Sequence, residues 1–369
     1  MGIDARMVRI TGIGRYTEEL VCGLERVGVL PTVFVSPVDA AWWHLRHPHV
    51  PYRIAPEAIY SWSEQLLLPA RFARERFEVV HFTNFNVPLA FRGPFVVTIH
   101  DTIPLHYAGE RRRSGLSQQA YRKVLRSALE RAERVIVPSV QVRDELAVLG
   151  DIAHVAVVPH AVSDAFCGPT VQPAEAGAVF NRLSLTEPYL LYVGNYRSHK
   201  NVDTLVRAFA EVRRSLPRAV LVLAGPITVA QRSVLVGLAR QLQVLPGLRI
   251  VGAVSDAELR VLYDGARLVV VPSFIEGFGL PALEAAARGT LVVASNTTPV
   301  REFLQDGVLT VDPRDIEQLA STIVIAWSTP ALRTRLTARA RSLALQRDWQ
   351  TVAQETLAVY ERAVAGRPL

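Results

Sequence analysis

The chain alternates short apolar segments with longer amphipathic ones, and it runs through this pattern twice. Strands separated by helices pair in parallel, and the helices cover both faces of the resulting sheet. The pattern therefore predicts an α/β protein with two doubly wound, Rossmann-like parallel sheets. The predicted strands are 32–36, 79–82, 95–100, 135–138 and 155–159 in the first half, and 189–193, 219–224, 248–251, 268–271 and 291–294 in the second.

A stretch rich in proline, glycine and alanine, 166–177, interrupts the alternation near the middle of the 369 residues. We therefore expect an N-terminal domain over 1–168, a linker over 169–185 and a C-terminal domain over 186–348, with a cleft between the domains. A last amphipathic helix is expected over 349–369. Because the second domain is already complete before it, we expect this helix to return to the first domain.

Composition limits the class of protein. With 50% hydrophobic and 20% charged residues the chain is typical of a folded enzyme, and a net charge of +7 attracts anionic partners. Nucleic acid is not expected as a partner. The basic segment 111–134 has the spacing of an amphipathic helix, which we interpret as a packed helix with a solvated cationic face; the alternative is weak contact with anionic lipid headgroups.

The cysteines and the apolar segments indicate the cellular compartment in which we expect the protein. Cys22 and Cys167 match no metal or redox spacing, which favours reduced thiols. No apolar run approaches the roughly 18 residues that span a bilayer, and the first residues do not resemble a signal peptide. We therefore expect a cytoplasmic protein, at most peripheral at the inner face of the cell membrane.

The segment 276–284 carries the clearest chemical signal: two acids, Glu276 and Glu284, enclose a glycine-rich helix start directly after a predicted strand. Pro281 suits the first helical position, and unpaired N–H groups at such a helix start attract an anion, for which phosphate is the natural candidate. If the whole segment were helical, the two acids would lie roughly 12 Å apart. Glycosidase carboxyl pairs lie about 5 to 9.5 Å apart, so a hydrolytic pair is disfavoured.

Acids near helix starts also occur simply because they complement the helix dipole. Here the segment lies between two predicted strands, and the second strand runs into the polar turn 295–299. Ligands of open α/β sheets bind beyond the carboxyl ends of the strands. We therefore interpret 276–284 as part of a binding site.

The first half contributes weaker candidates. Gly12 and Gly14 open a predicted helix near the start of the chain, where they let a ligand approach the backbone, with Arg15 as a cation. The third glycine and the downstream acid of a dinucleotide-binding motif are missing, so a dehydrogenase is not expected.

Polar residues lie at two predicted strand ends: His100 with Asp101, and His81. Asp101 and His81, together with Arg15, are the acceptor-side candidates. His100 is suited to donate a hydrogen bond to a sugar hydroxyl, with Asp101 orienting the ring. A capping aspartate beside a core histidine explains the pair equally well.

Lys200 lies just ahead of a predicted helix and follows a strand, so it is suited to bind a diphosphate, with Arg197 as a second cation. An ordinary surface lysine is the alternative. The sequence has no Asp-x-Asp pair, no Walker-type loop and no cluster of histidine or cysteine ligands. We therefore expect a metal-independent reaction and no cofactor.

Together these motifs resemble the retaining glycosyltransferases of family 4, also called group 1, which have the GT-B fold. The resemblance covers nearly the whole chain and rests on the segments GIGRY (12–16), TIHD (98–101), VGN (193–195), HKN (199–201), PSFIEGFGLPALEA (272–285) and VASN (293–296). It departs from the usual pattern at Asn195, where many relatives have arginine, and at Arg301, to which no role is assigned.

The resemblance implies a nucleotide-sugar donor held mainly by the second domain and a saccharide or lipid-linked saccharide acceptor held mainly by the first. Glu276 would contact the transferred sugar, Glu284 the ribose, and Lys200 with Arg197 the diphosphate, while His100 would approach the donor from the opposite domain. The predicted catalytic residues are therefore His100, Glu276 and Lys200, and Gly12 and Gly14 are further donor-binding candidates. The turn residues Gly277, Phe278, Gly279 and Leu280 would face the phosphates.

The segments 12–16, 193–195 and 199–201 are most similar to mannosyltransferase-type members that build surface polysaccharides from GDP-mannose, and a UDP-sugar is the alternative donor. Retention of the anomeric configuration is implied by the family alone. Two other classes stay open: a sugar-nucleotide epimerase of similar fold, and a non-catalytic scaffold of polysaccharide assembly. The non-catalytic scaffold is disfavoured because the chain has all four of the expected site residues, His100, Lys200, Glu276 and Glu284.

Overall fold

A computed structural model describes residues 1–106, 115–186 and 188–365. The chain divides into two compact units. Unit 1 consists of Met1–His160 together with Asp348–Leu369, and unit 2 consists of Ala161–Arg347.

Unit 1 is built on a seven-stranded parallel sheet in the order β3-β2-β1-β4-β5-β6-β7. Its strands are β1 (Gly2–Asp4), β2 (Thr32–Val35), β3 (Tyr52–Ile54), β4 (Val80–Phe82), β5 (Phe95–Thr98), β6 (Arg134–Val137) and β7 (Val155–Val157). The helices between them are α1 (Thr11–Arg26), α2 (Ala40–Arg46), α3 (Trp62–Leu66), α4 (Leu68–Arg74), α5 (Ile103–His106), α6 (Gly115–Arg131) and α7 (Val140–Leu146). The strand order reverses direction between β1 and β4, which is the switch point of this sheet.

Helix α6 contains most of the basic segment 111–134. Tyr121, Leu125 and Leu129 are buried against the sheet of unit 1, while Arg122 and Arg126 are exposed on the other side. The helix is therefore amphipathic and packed, with a solvated cationic face. Positions 111–114 of the segment lie outside the described residues.

Unit 2 repeats the architecture with a six-stranded parallel sheet in the order β10-β9-β8-β11-β12-β13. Its strands are β8 (Tyr189–Val193), β9 (Leu221–Ala224), β10 (Leu248–Gly252), β11 (Ala266–Val271), β12 (Leu291–Ser295) and β13 (Leu309–Val311). Its helices are α8 (Pro173–Leu183), α9 (Val202–Ser215), α10 (Val229–Gln241), α11 (Asp256–Gly265), α12 (Leu280–Ala287), α13 (Val300–Leu304), α14 (Ile316–Ser328) and α15 (Pro330–Ala344). The switch point lies between β8 and β11.

Local sequence explains several of these elements. The four central strands of unit 2, β8, β9, β11 and β12, are short apolar runs that are largely buried on both faces, as parallel strands are. Helices α10 and α11 each begin with a capping box, Thr228 with Gln231 and Ser255 with Glu258, which satisfies two backbone N–H groups at each helix start. The predicted α/β class with two doubly wound parallel sheets is confirmed.

The last helix, α16 (Trp349–Ala365), belongs to unit 1, as the sequence predicts, and packs along α1. The two helices touch where α1 carries Gly23: a Cβ atom there would lie 2.2 Å from the carbonyl oxygen of Trp349. Only glycine lets the backbones approach this closely. Val352, Ala353 and Tyr360 bury the rest of the contact face.

The segment 169–185, expected as a linker, instead contains helix α8 and is tied to unit 2. Arg288 donates to the carbonyl oxygens of Gly168 and Pro169 and pairs with Asp264, whose carboxylate also accepts from the backbone N–H of Val171. The buried Arg288 fixes this stretch by hydrogen bonds that sequence composition does not reveal. Among the described residues no helix is long and apolar enough to cross a membrane.

Candidate functional site

The switch point of unit 2 gathers most of the predicted donor-side residues. Gly194 follows β8, and the loop 272–279 follows β11, so both lie at the carboxyl edge of the sheet where ligands of such folds bind. The backbone is packed closely here: a Cβ at Gly225, after β9, would lie 1.9 Å from the carbonyl oxygen of Gly194. Gly225 also has a φ of +138°, so this position requires glycine.

Lys200 and Glu276 form the central ion pair of this edge. Lys200 ends a short 3₁₀ turn before α9, and its Nζ donates to Glu276 Oε1 at 2.7 Å and Oε2 at 2.8 Å. Only 16% of the lysine side chain and 10% of the glutamate side chain are exposed. The two predicted catalytic residues of unit 2, 76 positions apart, are therefore in direct contact and largely desolvated.

Two neighbours complete the surroundings of this pair. Ser273 donates its hydroxyl to Glu276 Oε1 at 2.6 Å and thereby fixes the carboxylate. His199 is buried, and burial together with the Lys200 charge lowers its pKa to about 4, although Glu276 opposes the shift. His199 is therefore neutral near pH 7, and Lys200 is the cation that the buried part of this loop supplies.

The glycine-rich turn leads directly into α12. Gly279 has a φ of +108° and precedes Leu280, the first helical residue, with Pro281 next. Phe278 is buried and stacks on Phe303 with the ring centroids 4.4 Å apart, which holds the turn against unit 2. Pro281 has no N–H group, and the N–H groups of Ala282 and Leu283 donate to the carbonyl oxygen of Gly279, so α12 contributes mainly the positive end of its dipole, four residues after Glu276.

Glu284 lies in the second turn of α12 and is only 3% exposed. Its Oε2 accepts a hydrogen bond from the Tyr263 hydroxyl of α11 at 2.8 Å. The acid is thus held in place on a helix behind the turn, separate from the Lys200–Glu276 pair. Arg197, in contrast, is exposed, and its backbone N–H donates to Asn195 Oδ1 at 3.3 Å.

The remaining donor-side candidates lie in unit 1. Gly12 and Gly14 are inside helix α1, which begins at Thr11 and therefore earlier than the sequence suggested. A Cβ at Gly14 would lie 2.2 Å from the carbonyl oxygen of Val8, so this glycine lets the preceding turn pack on the helix. Arg15 is partly buried in the second turn of α1.

Unit 1 places its histidines in two different situations. His81 lies within β4, is 1% exposed, and has both ring nitrogens hydrogen-bonded, to Tyr360 Oη at 2.6 Å and Thr98 Oγ1 at 2.8 Å. Thr98 Oγ1 also contacts the Tyr16 hydroxyl at 2.9 Å. This differs from the expected strand-end position, because the chain of hydrogen bonds joins α16, β4, β5 and α1 in the core.

His100 follows β5 and is partly exposed. Its Nε2 lies 2.8 Å from the carbonyl oxygen of Thr83, and since a carbonyl only accepts, Nε2 carries the proton and Nδ1 is the acceptor. Burial lowers the pKa of His100 to about 4, so the ring is neutral near pH 7. Asp101 Oδ1 accepts from the Ile103 N–H at 3.0 Å and thereby caps the start of α5.

Several residues that shape these edges are assigned no role by the motifs, although Ser273 lies within the segment 272–285. Ser273 and Tyr263 fix the two glutamates, and Asp4, Arg6 and Glu64 form a buried charge cluster at the carboxyl edge of unit 1. The acids of that cluster are 60 positions apart, so spacing along the chain gives no signal; Asp4 is the last residue of β1, and Arg6 lies two positions later. In the ranges that the structure describes, no group of three or more histidine, cysteine or acidic side chains is arranged to hold a metal ion.

Family models match both halves of the chain: glycosyltransferase family 4 over residues 10–166 and glycosyl transferases group 1 over residues 178–343. O-antigen chain mannosyltransferase B of Escherichia coli is 30% identical over 292 residues, 77% of this chain and 74% of that protein. Glycogen synthase of Mycobacterium tuberculosis is 33% identical over 283 residues, 74% of this chain but only 64% of that protein, so the chain spans less than two thirds of this relative.

Among solved structures, sucrose-phosphate synthase from Thermosynechococcus elongatus matches with a TM-score of 0.79 at 22% identity, covering 100% of both chains. At this identity the likeness concerns the fold. The two parallel sheets, the two family models and the similarity to the mannosyltransferase all indicate the same family. The chain belongs to the group 1 glycosyltransferases of family 4 and has their GT-B fold.

Proposed function

We propose that this protein is a retaining hexosyltransferase. It takes a hexose from a nucleotide-sugar donor bound by unit 2 and joins it to a hydroxyl of a saccharide or lipid-linked saccharide, in the synthesis of a surface polysaccharide or lipid-linked glycan. The observation that carries the proposal is the buried Lys200–Glu276 pair at the switch point of unit 2, beside the start of α12.

The charge arrangement suits the leaving group of such a reaction. Cleavage of the bond between sugar and nucleotide leaves a nucleoside diphosphate, and groups that bind its growing negative charge lower the barrier most. Lys200 supplies a cation that Glu276 already holds in place, and the start of α12 supplies the positive end of the helix dipole. Because these groups are fixed before the donor arrives, little reorganisation is needed during the reaction.

Glu276 has a second task in this scheme. Its two oxygens accept from Lys200 and Ser273, and a carboxylate has further acceptor capacity for hydroxyl groups of the transferred sugar. A sugar held by Glu276 places its anomeric carbon next to the cation that receives the leaving phosphate. Glu284, fixed by Tyr263, holds the ribose of the same donor.

The same groups support a reaction without a metal ion. A divalent cation is the usual neutraliser of a diphosphate in enzymes that present paired aspartates to it. Here the neutralising charge is Lys200 and the helix dipole of α12. We therefore propose that nucleotide binding and transfer need no added metal.

GDP-mannose is the proposed donor. It is supported by the motif pattern of this chain and by its similarity to O-antigen chain mannosyltransferase B. A UDP-sugar is the second candidate, since the base and the sugar are selected by a few pocket contacts that the pattern of motifs does not fix.

A thermal-shift panel of GDP, UDP, GDP-mannose and UDP-glucose, first without metal and then with EDTA, tests donor and metal together. A ligand at a hundredfold its dissociation constant stabilises the protein by about 2.7 kcal/mol, which is readily measured. We expect GDP and GDP-mannose to raise the unfolding temperature equally with and without EDTA. A preference for UDP would reject the GDP-mannose assignment, and a shift lost in EDTA would reject metal independence.

Substitution of the two glutamates tests the division of labour. Glu276→Ala is expected to abolish sugar transfer while nucleotide binding stays largely intact, whereas Glu284→Ala is expected to weaken nucleotide binding itself. Release of nucleoside diphosphate and its dissociation constant are the measurements, and the exposed Glu302→Ala is the control. Identical behaviour of the two site variants would contradict the scheme.

A further inference from the structure

At the carboxyl edge of unit 1, three charged side chains are fixed together below the surface. Arg6 donates from Nη2 to Asp4 Oδ2 at 2.8 Å and to Glu64 Oε1 at 2.7 Å, and from Nε to Asp4 Oδ1 at 2.9 Å. Their side chains are 3%, 11% and 0% exposed for Arg6, Asp4 and Glu64. Two carboxylates against one guanidinium leave the cluster with one net negative charge.

The second oxygen of Glu64 organises the neighbouring loops. Glu64 Oε2 accepts from the Tyr60 backbone N–H at 2.8 Å and from Asn86 Nδ2 at 2.7 Å. Asn86 lies four residues beyond the end of β4, whereas Asp4 is the last residue of β1. The cluster thus ties together the two strand ends that flank the switch point of this sheet, where ligands of such folds bind.

A small cavity opens beside this cluster, lined by Asp4, Glu64, Asn84, Asn86, Thr83 and Met7, among others. Its volume is about 10 Å³, which is enough for one water-sized group. One hydroxyl group therefore fits into the cavity, whereas a phosphate, with four oxygens, does not.

Asn84 is the side chain in this cavity that a ligand would satisfy. It is only 8% exposed, and its Nδ2 donates to the sulfur of Met7 at 3.4 Å. A thioether is a weak acceptor, and it is the one partner of the Asn84 side chain within the described part of the protein. A buried amide with so poor a partner favours a hydroxyl group that both donates to its oxygen and accepts from its nitrogen.

We propose that this cavity is a subsite for one hydroxyl group of the acceptor, and that it selects acceptors that are uncharged at the contacted sugar. Asn84 binds the hydroxyl, while Asp4 and Glu64 repel a phosphate or carboxylate at the same place. This rests on the proposed transferase function and names its acceptor class. Asp4, Arg6 and Glu64 act as positioning residues, because the hydrogen bonds between them fix the wall of the cavity.

The experiment uses the full chain and the donor identified by thermal shift, and it follows release of nucleoside diphosphate with matched acceptor pairs. The pairs are D-mannose with D-mannose 6-phosphate, and D-glucose with D-glucose 6-phosphate, so that the members of each pair differ only in the phosphate. We expect kcat/KM for an uncharged member to exceed that of its phosphorylated partner at least tenfold. Preference for the phosphorylated members, equal use of both, or stimulation by neither would overturn the proposal.

Two variants test whether the preference for uncharged acceptors arises in this cavity. Asn84→Ala is expected to raise KM for the uncharged acceptor at least tenfold while the dissociation constant of the donor nucleotide changes less than twofold. Glu64→Gln removes the charge with little change of shape, so discrimination against the phosphorylated partner is expected to fall. Glu57→Gln is the matched control, because the Glu57 side chain pairs with Arg71 outside the cavity and is only 2% exposed, against 0% for Glu64. Its backbone carbonyl, which accepts from Arg6, is unchanged in the variant.

The outcomes separate this inference from the proposed function. Should Glu64→Gln fail to fold, Asn84→Ala alone still decides, since Asn84 takes part in no ion pair. An unchanged KM in Asn84→Ala, with the donor still bound, would reject the subsite and leave the transferase assignment standing. Absence of any nucleotide-sugar binding would instead reject the proposed function itself.

Discussion

Lys200 and Arg197 lie three residues apart, but their surroundings differ. Lys200 is largely buried and held by both oxygens of Glu276, whereas Arg197 is exposed. A charge in water is screened and moves freely, while a desolvated and fixed charge acts strongly on a nearby anion. The two cations should therefore contribute unequally to transfer.

We predict that Lys200→Met lowers kcat by roughly 10²- to 10³-fold, the usual effect of removing one fixed group that stabilises transition-state charge. Arg197→Met should lower it only a few-fold. Steady-state kinetics of both variants with the same donor and acceptor provide the measurement, and circular dichroism checks that both fold. Equal losses would show that burial does not distinguish the two cations.

Sequence alone identified the side chains of the unit 2 edge but not their contacts. Glu276, Glu284 and Lys200 were predicted as site residues because they lie in motifs. The Lys200–Glu276 pair and the Tyr263–Glu284 bond join residues 76 and 21 positions apart, which spacing along the chain cannot reveal. The Ser273–Glu276 bond is local and depends on how the loop 272–279 folds.

At the scale of elements, the contact between α1 and α16 depends on one missing side chain. A Cβ at Gly23 would overlap the carbonyl oxygen of Trp349, whereas a Cβ at Gly237 in α10 would meet nothing within 4 Å. Both glycines lie inside helices, where alanine is intrinsically preferred. The surroundings alone thus decide whether alanine is tolerated.

We predict that Gly23→Ala destabilises unit 1 by about 1 to 3 kcal/mol, the usual cost of overpacking, because α16 must move away from α1. Gly237→Ala should be neutral or stabilise the protein by up to about 1 kcal/mol. Urea unfolding of the two variants beside the wild type measures the difference. A stable Gly23→Ala would mean that the two helices separate without cost.

The strands show what periodicity predicts well. The ten predicted strands all exist, most of them within two residues of the predicted bounds, because each is a compact apolar run. Strands β1, β3 and β13 are not among the ten: they have three residues each, and β3 and β13, at the sheet edges, mix polar with apolar side chains. The register of such short edge strands is set by the neighbouring strand rather than by their own composition.

At the scale of the whole molecule, the buried histidines of unit 1 make its stability depend on pH. Burial lowers the pKa of His81 to about 3 and that of His100 to about 4, below the value of about 6.5 in an unfolded chain. As the pH falls, the unfolded chain takes up these protons first. The stabilisation is therefore complete above pH 6.5 and is lost progressively below it.

We predict that unit 1 loses up to about 1.4 kcal/mol of stability per pH unit and per histidine between pH 6 and pH 4. In His81→Gln, the free energy of unfolding should depend less steeply on pH, by the contribution of one histidine. His49→Gln, at an exposed position, should leave the slope unchanged. Tryptophan fluorescence reports mainly on unit 1, which contains four of the five tryptophans, at positions 42, 43, 62 and 349. Identical slopes for both variants would contradict the assignment.

The membership of α16 in unit 1 also sets an order of events during translation. The ribosome makes most of unit 1 first, then the whole of unit 2, and only then the helix that covers α1 and supplies Tyr360 to His81. Domains usually complete their folding in the order of synthesis. Here unit 2, which is continuous in sequence, can complete its folding first. Unit 1 completes its folding only after α16 has been synthesised, and until then the face of α1 that α16 covers stays exposed.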